Sequence, residues 1–182
     1  MEPDRSIKNC YQNVPCLTGR RLILKRVEEE DADALSELVS STSVYRYLPT
    51  FLFEKKYADL HEVVRKLYTE CLQESVILGI YLQGELCGLA EMYGLRDEIH
   101  KISIGYRLME RFWGQGIASE TVAVLVQYLY TDTDIEIITA STMVENKASA
   151  RVLEKNDFAL VASGVDEDWG FANPTAADKW IR

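Results

Sequence analysis

The spacing of apolar and polar residues divides the chain into short strands and longer helices. Arg21-Leu22-Ile23-Leu24-Lys25-Arg26-Val27 alternates with a period of two, which predicts a strand with Leu22, Leu24 and Arg26 on one face. Asp31 or a neighbouring acid opens a helix in which Ala34, Leu35, Leu38 and Val39 recur at helical spacing, and acids in its first turn suit the helix dipole. A long helix is predicted over 54–74, where Leu60, Val63, Val64, Leu67, Tyr68, Cys71 and Leu72 recur at three and four. Strands over 76–82 and 86–95 are joined by Gln83-Gly84-Glu85, a hairpin signal, and Gly88 and Gly94 mark bends or bulges. A third strand over 99–108 completes an antiparallel meander. Ile117, Thr121, Val124, Leu125, Tyr128 and Leu129 then make one face of a helix that stops at Thr131-Asp132-Thr133-Asp134. The buried-type strand over 135–140 closes a strand–helix–strand unit, whose two strands should run parallel. Asn146 is a good N-cap for a helix over 147–155. A strand over 158–162, a loop over 164–174 and a short strand over 178–181 end the chain.

Two stretches lack such a pattern. Residues 1–17 have no periodicity and are expected to form a loosely packed N-terminal extension, ahead of a single domain over 18–182. Residues 40–53 carry Tyr45, Tyr47, Phe51 and Phe53 around Pro49. Buried aromatics usually serve packing, so covering the core is the expectation and lining a ligand pocket the alternative.

Composition narrows the class. A chain of 182 residues, 47% hydrophobic and 27% charged, is long enough for one domain with a full core. No apolar run approaches the roughly 20 residues of a membrane helix, and the start, Met1-Glu2-Pro3-Asp4-Arg5, is polar. A cytoplasmic chain with no membrane partner is the expectation. The net charge of -9 argues against nucleic acid as a partner and suits a cationic substrate such as an amine, although a solvated acidic surface is the commoner cause. Cys10, Cys16, Cys71 and Cys87 form no CxxC and no metal spacing, which predicts reduced thiols. With only His61 and His100, no metal site is predicted.

The stretch that carries chemistry is Arg111-Phe112-Trp113-Gly114-Gln115-Gly116-Ile117-Ala118, between a strand and a helix. Glycines let the backbone approach a ligand, and the first amides of the helix lack intrahelical partners and favour an anion. Two glycines also make a tight turn, so the loop alone leaves both readings open. A dinucleotide fold fits poorly. Its pattern wants a third glycine, where Ser119 stands, and an acid about 20 residues on. The next strand ends instead in Thr139-Ala140-Ser141.

This order of elements, with Arg111, Gly114 and Gly116 in Arg-x-x-Gly-x-Gly after the fourth predicted strand, resembles the GNAT superfamily of N-acetyltransferases. Asn146-Lys147-Ala148-Ser149-Ala150-Arg151-Val152-Leu153-Glu154-Lys155, followed by Phe158, is similar to a stretch of the branch that includes ribosomal-protein-alanine N-acetyltransferases. Gly19-Arg20-Arg21-Leu22-Ile23-Leu24 is similar to that branch's opening strand. The resemblance spans residues 18–162. It implies an α+β fold: a mixed, mostly antiparallel twisted sheet of six to seven strands flanked by about four helices. Three departures stand out. Ser103 occupies a place where the family often has Glu, Asp157 stands where it has Gly before Phe158, and the last strands are hard to match.

The implied reaction is direct attack of an amine, on a protein N-terminus or a small molecule, on the thioester of acetyl-CoA. The resemblance assigns cofactor binding to Leu108, Met109, Arg111, Phe112, Trp113, Gly114, Gln115, Gly116, Ile117, Ala118, Asn146 and Arg151, with Lys147 a further candidate for a CoA phosphate. The loop amides would hold the pyrophosphate. Leu108 or Met109 would offer a backbone N–H to the developing oxyanion, and the pantetheine arm would pair with the same strand edge. Asn146 and Ser149 resemble the pair that holds pantetheine and donates toward sulfur, although Asn146 is also a cap and Ser149 a small helix residue. Glu91, or Glu145, is a candidate base for the attacking amine. Ser103 in place of a carboxylate keeps a second class open, a non-catalytic acyl-CoA-binding or regulatory module. The acceptor's identity is not legible, and a monomer and a homodimer are equally compatible with the sequence.

Overall fold

The computed structural model describes residues 5–48, 59–71 and 74–182, with the side chain of Cys71 outside that set. Pro49, Phe51, Phe53, Leu72 and the predicted helical residues 54–58 also lie outside the described residues. Eight strands form one sheet in the order β1-β2-β3-β4-β5-β6-β8-β7. They are β1 Leu17–Thr18, β2 Leu22–Lys25, β3 Ser75–Leu82, β4 Glu85–Arg96, β5 Lys101–Leu108, β6 Ile137–Met143, β7 Ala159–Glu167 and β8 Thr175–Ile181. All neighbours are antiparallel except β5 and β6, which run parallel as the strand–helix–strand unit requires. The α-helices among the described residues are α1 Asn9–Gln12, α2 Ala32–Ser40, α3 Leu60–Lys66, α4 Ile117–Asp132 and α5 Lys147–Glu154. The additional strand and helix, β1 and α1, both come from the aperiodic N-terminal region.

Local chemistry explains most boundaries. Leu22 and Leu24 are buried as the alternation demands, but β2 ends at Lys25, so Val27 turns into the core in place of Arg26. The Arg26 guanidinium instead lies over the Tyr68 ring, 4.3 Å from its centroid. Asp59 caps α3 by accepting from the Glu62 amide at 2.7 Å, which places the helix start at Leu60. The α-helix gives way to a π-helical turn over Leu67–Cys71. Gln83 and Gly84 both have positive φ (53° and 86°), the geometry of a two-residue hairpin turn that matches strand twist. Gly94, at φ 63°, lies within the register shift between Tyr93 and Arg96, so its expected bulge is present.

At the C-terminal end the glycine signal has a different meaning from the one expected. The sequence predicts a loop over 164–174, but β7 runs on to Glu167. Gly164, at φ 68°, lies between Ala162 and Val165, where the pairing with β8 shifts register. It marks a bulge inside a strand rather than the strand's end.

The N-terminal segment is bound to the domain, against the expectation of loose packing. Ile7 is fully buried. One terminal nitrogen of Arg5 donates to the carbonyls of Tyr130, Thr131 and Thr133 at 2.8–3.2 Å, satisfying the exposed end of α4. Cys10 contacts the Tyr128 hydroxyl at 2.7 Å. Cys10 and Cys87 are buried and Cys16 is exposed, all as free thiols. Among the described residues no helix is long and apolar enough to cross a membrane.

Two layers of helix enclose the sheet. α2 and α3 cover the face that carries Ile77 and Leu89. α5, packed beside α4, lies on the opposite face, where Ser149 meets Tyr106. The decisive feature is where β5 and β6 part. They pair only at Lys101↔Ile137, Ile102↔Ile138 and Ser103↔Thr139. Beyond that, β5 stays with β4 to Leu108 and β6 stays with β8 to Met143. The Ser103 and Thr139 hydroxyls, 2.8 Å apart, join the strands at the last shared rung.

The β4–β5 side of this gap depends on Gly88. A Cβ there would lie 2.1 Å from the Arg107 carbonyl oxygen and 3.0 Å from Leu108 Cα, both backbone atoms that cannot turn aside. Gly88→Ala is expected to cost about 1–3 kcal/mol or more. Gly105→Ala would meet only Tyr93 Cε1 at 3.6 Å, and should change stability by less than about 0.5 kcal/mol. Paired urea denaturation curves measure both.

Candidate active site

A cavity of about 370 Å³ lies beside the end of β5, past the point where β5 and β6 part. Its walls come from the end of β5 (Tyr106, Arg107, Leu108), the loop and first turn of α4 (Phe112 to Gly114, Gly116 to Ser119), α5 and its cap (Asn146, Ala148, Ser149, Arg151, Val152, Lys155), and Ser43, Val44, Tyr47 and Leu48. The parted strands therefore bring together the two motifs singled out in the sequence. Tyr47 lines the cavity while Tyr45 packs against the core, so the aromatic stretch is divided between its two expected roles.

The glycine loop is built to leave amides open. Gly116 is the N-cap of α4, in the left-handed region at φ 77°, and no side chain caps the helix. The Glu120 amide is the first to find a helical acceptor, the Gly116 carbonyl at 3.1 Å. The amides of Ile117, Ala118 and Ser119 precede it and lie in the cavity-lining turn. The helix dipole adds partial positive charge at the same place. The loop is fixed by its own side chains: Trp113 Nε1 donates to the Leu108 carbonyl at 2.8 Å and Gln115 Nε2 to the Arg111 carbonyl at 2.7 Å.

The Arg111 side chain points elsewhere. Its guanidinium is paired with Glu37 of α2 at 2.9 Å and Glu85 of the β3–β4 hairpin at 2.5 Å. It ties the loop to the opposite layer and is absent from the cavity lining, as are Met109 and the Gln115 side chain. A second arginine, Arg21, holds the loop from behind. Its Nη1 donates to the Gln115 carbonyl at 3.2 Å, and its Nε and backbone N–H both donate to Glu120, at 2.8 and 2.5 Å. The Leu22 amide also donates to Glu120, at 3.2 Å.

On α5, Asn146 Oδ1 accepts from the Ser149 amide at 3.2 Å, which makes it the predicted cap. The Ser149 hydroxyl is 3.0 Å from the Tyr106 hydroxyl. Arg151 and Lys155 face the cavity, whereas Lys147 does not line it. Sequence reasoning missed Tyr106, Arg107 and Lys155. The spacing 148, 151, 152, 155 is the i, i+3, i+4, i+7 signature of one helix face and would have found Lys155.

Leu108 and Met109, predicted together as amide donors, are distinguished by the sheet. The Met109 N–H donates to the Cys87 carbonyl at 3.0 Å and is occupied. Alternation in an antiparallel pair then turns the backbone of Tyr106 and Leu108 the other way, toward the gap. Glu91 lies on β4 outside the cavity lining, with its carboxylate 3.9 Å from the guanidinium of cavity-lining Arg107. Burial pushes the Glu91 carboxyl above the usual carboxylate range, and Arg107 and a hydrogen bond with Ser75 oppose that only in part. Glu145 is exposed and outside the lining. Among the described residues the cavity lining thus holds Arg107, Arg151 and Lys155 and no carboxylate, in a chain whose net charge is -9.

The family model of the acetyltransferase (GNAT) domain matches residues 21–159. The chain belongs to the GNAT acetyltransferase family. An uncharacterised N-acetyltransferase of Bacillus subtilis, YoaA, is 28% identical over 168 residues, covering 90% of this chain and 93% of that protein. Among solved structures, a GNAT-family acetyltransferase from Bacillus anthracis superposes with a TM-score of 0.78 at 21% identity, covering 92% of this chain and 98% of the other. RimL, a ribosomal L7/L12 alpha-N-protein acetyltransferase seen in complex with coenzyme A, gives a TM-score of 0.77 at 21% identity over 92% and 97% of the two chains. These likenesses show a shared GNAT fold.

Two departures from the family pattern acquire physical explanations. Ser103, where the family often has Glu, has its hydroxyl engaged with Thr139 at the strand junction. Asp157, where the family usually has Gly, adopts a left-handed conformation at φ 59°, of the kind glycine takes most readily. Its carboxylate accepts from Arg182 Nη1 at 3.0 Å, and the Phe158 amide still closes the helix end on the Leu153 carbonyl at 3.1 Å.

Burial pushes the Glu120 carboxyl up, but the hydrogen bonds from Arg21 and Leu22 outweigh it and hold the group below the usual carboxylate range. A carboxyl lowered by folding contributes stability above its unfolded pKa and loses it as pH falls through its folded one. Glu120→Gln should therefore cost about 1–2 kcal/mol near neutral pH, with the difference from wild type vanishing at acid pH below the folded pKa. Denaturation curves across that range give the result.

Proposed function

We propose that this GNAT acetyltransferase binds acetyl-CoA in the gap between β5 and β6 and transfers its acetyl group to the primary amine of a protein N-terminus or a small molecule. The observation that carries the cofactor site is electrostatic. In a strongly acidic chain, the described residues around one cavity include three cations and no carboxylate, beside a helix start that no described side chain caps. Such a site suits a polyanion, and the phosphates of coenzyme A supply one. RimL, of the same fold, is seen with coenzyme A and acts on a protein N-terminal amine, which supports both halves of the reading.

In this reading the amides of Ile117, Ala118 and Ser119 hold the pyrophosphate, and Arg151 and Lys155 face the remaining phosphate charge. The gap-facing backbone of Tyr106 pairs with the pantetheine amides as a neighbouring strand would, the Leu108 carbonyl being held by Trp113 Nε1. The Leu108 amide is the donor for the oxyanion, since Met109 is engaged elsewhere. As the amine nitrogen bonds to the acetyl carbon and the carbon–sulfur bond breaks, Ser149 hydrogen-bonds the leaving sulfur. The nitrogen loses one proton and the sulfur gains one. Glu91, with its raised pKa and its link to Arg107, is placed to accept the amine proton through water. Arg111 acts on the site only by holding the loop.

Gly116→Trp would put a bulky side chain into the left-handed helix cap that lines the cavity. Isothermal titration is expected to show acetyl-CoA binding to the wild type and none to the folded variant; undiminished affinity in the variant would sink the assigned site. Thiol release from acetyl-CoA with N-terminal peptides and polyamines tests the transfer. Ser149→Ala should lower kcat about tenfold to a hundredfold, the loss of one hydrogen bond to developing charge, with the acetyl-CoA affinity retained.

A further inference from the structure

We propose that Tyr106 is a positioning residue for the transfer, acting through Ser149 to stabilise the leaving sulfur. The inference rests on the reading of Ser149 given above and extends it to a residue on the other side of the gap. Tyr106 belongs to β5 and Ser149 to α5; the two hydroxyls are 3.0 Å apart, and both residues line the cavity.

The direction of this bond follows from acidity. A phenol is a stronger acid than an aliphatic alcohol, so Tyr106 is the better donor and the Ser149 oxygen the better acceptor. When Tyr106 donates, the single hydrogen of Ser149 is left for a different acceptor. The Ser149 amide is already held by Asn146 Oδ1, which fixes the residue in the first turn of α5. Backbone and side chain are thus both anchored, and the serine hydrogen is directed into the cavity rather than onto a carbonyl of its own helix.

The consequence is electrostatic. A serine hydroxyl is a weaker acid than a thiol, so Ser149 cannot leave its proton on a thiolate as the stable outcome. It can donate a strong hydrogen bond while the sulfur carries charge. As it does so its oxygen becomes more negative, and the bond from Tyr106 strengthens. Tyr106 gains and loses no proton: burial pushes its hydroxyl up to about 12, against the smaller opposing effect of Ser149. The bonds made and broken are those of the transfer itself, nitrogen to carbon formed and carbon to sulfur cleaved.

The thiol of bound coenzyme A reports this effect without an acceptor. Its titration is followed by thiolate ultraviolet absorbance, as the difference between protein saturated with CoA and with desulfo-CoA. Tyr106→Phe keeps the ring that lines the cavity and removes only the hydroxyl. The expected result is that Tyr106→Phe and Ser149→Ala each weaken the acidity of the bound thiol about tenfold, one pKa unit, while the double variant is no weaker than Ser149→Ala alone. Ser149→Thr, which keeps the hydroxyl, should restore the sensitivity to Tyr106→Phe. Desulfo-CoA affinity should stay within about twofold in every variant, since neither hydroxyl is assigned to the phosphates. An unchanged thiol in Tyr106→Phe, or an equal shift in the presence and absence of the Ser149 hydroxyl, overturns the role of Tyr106 and leaves that of Ser149 standing. An unchanged thiol in Ser149→Ala overturns both.

Discussion

The structure depends on two parallel strands that do not stay together. β5 and β6 share three rungs, and after Ser103 and Thr139 each follows its outer neighbour. The inner edges beyond that point have backbone polar groups without a sheet partner, which cannot remain unsatisfied in a buried place. The gap is therefore at once a structural cost and a binding opportunity. A ligand with amides along its length would complete the ladder. Gly88 makes the geometry possible on one side, because only a residue without a Cβ lets the Arg107 carbonyl come so close.

Charge is distributed to match. The chain's net charge is -9, yet among the described residues no acidic side chain enters the cavity lining, while Arg107, Arg151 and Lys155 are gathered into it. Other arginines near the loop have acidic partners and mechanical roles. Arg111 is clasped by Glu37 and Glu85, and Arg21 by Glu120. The loop is thus pinned from two sides by ion pairs while its own amides stay open. A glycine N-cap serves the same end, since Ser or Asp there would satisfy those amides from within.

Asp157 and Ser103 show that a family pattern can be met by other residues when tertiary contacts support them. Asp157 takes a backbone conformation usually left to glycine, with Arg182 paired to its carboxylate. Ser103 uses its hydroxyl at the strand junction, so its place in the sheet is structural.

The sequence by itself determined most of the fold and half of the described cavity lining. Periodicity identified the meander, the long helix after the glycines, and the capped helix at Asn146, because each is set by contacts between near neighbours in the chain. The two motifs singled out Gly116, Asn146 and Ser149, which line the cavity, for the same reason. The direction of a long side chain is a different matter. Nothing near Arg111 in the sequence shows that Glu37 and Glu85 will capture it, or that Met109 will give its amide to Cys87 while Leu108 keeps its own. The loop signal at Gly164 hides the second half of β7, because a bulge and a turn use the same residue and only the partner strand tells them apart. Tyr106 and Ser149 stand 43 positions apart and meet only because β5 leaves β6 and α5 closes over the space. Local periodicity is written in the chain; which groups meet across a gap is decided when the sheet and helices pack.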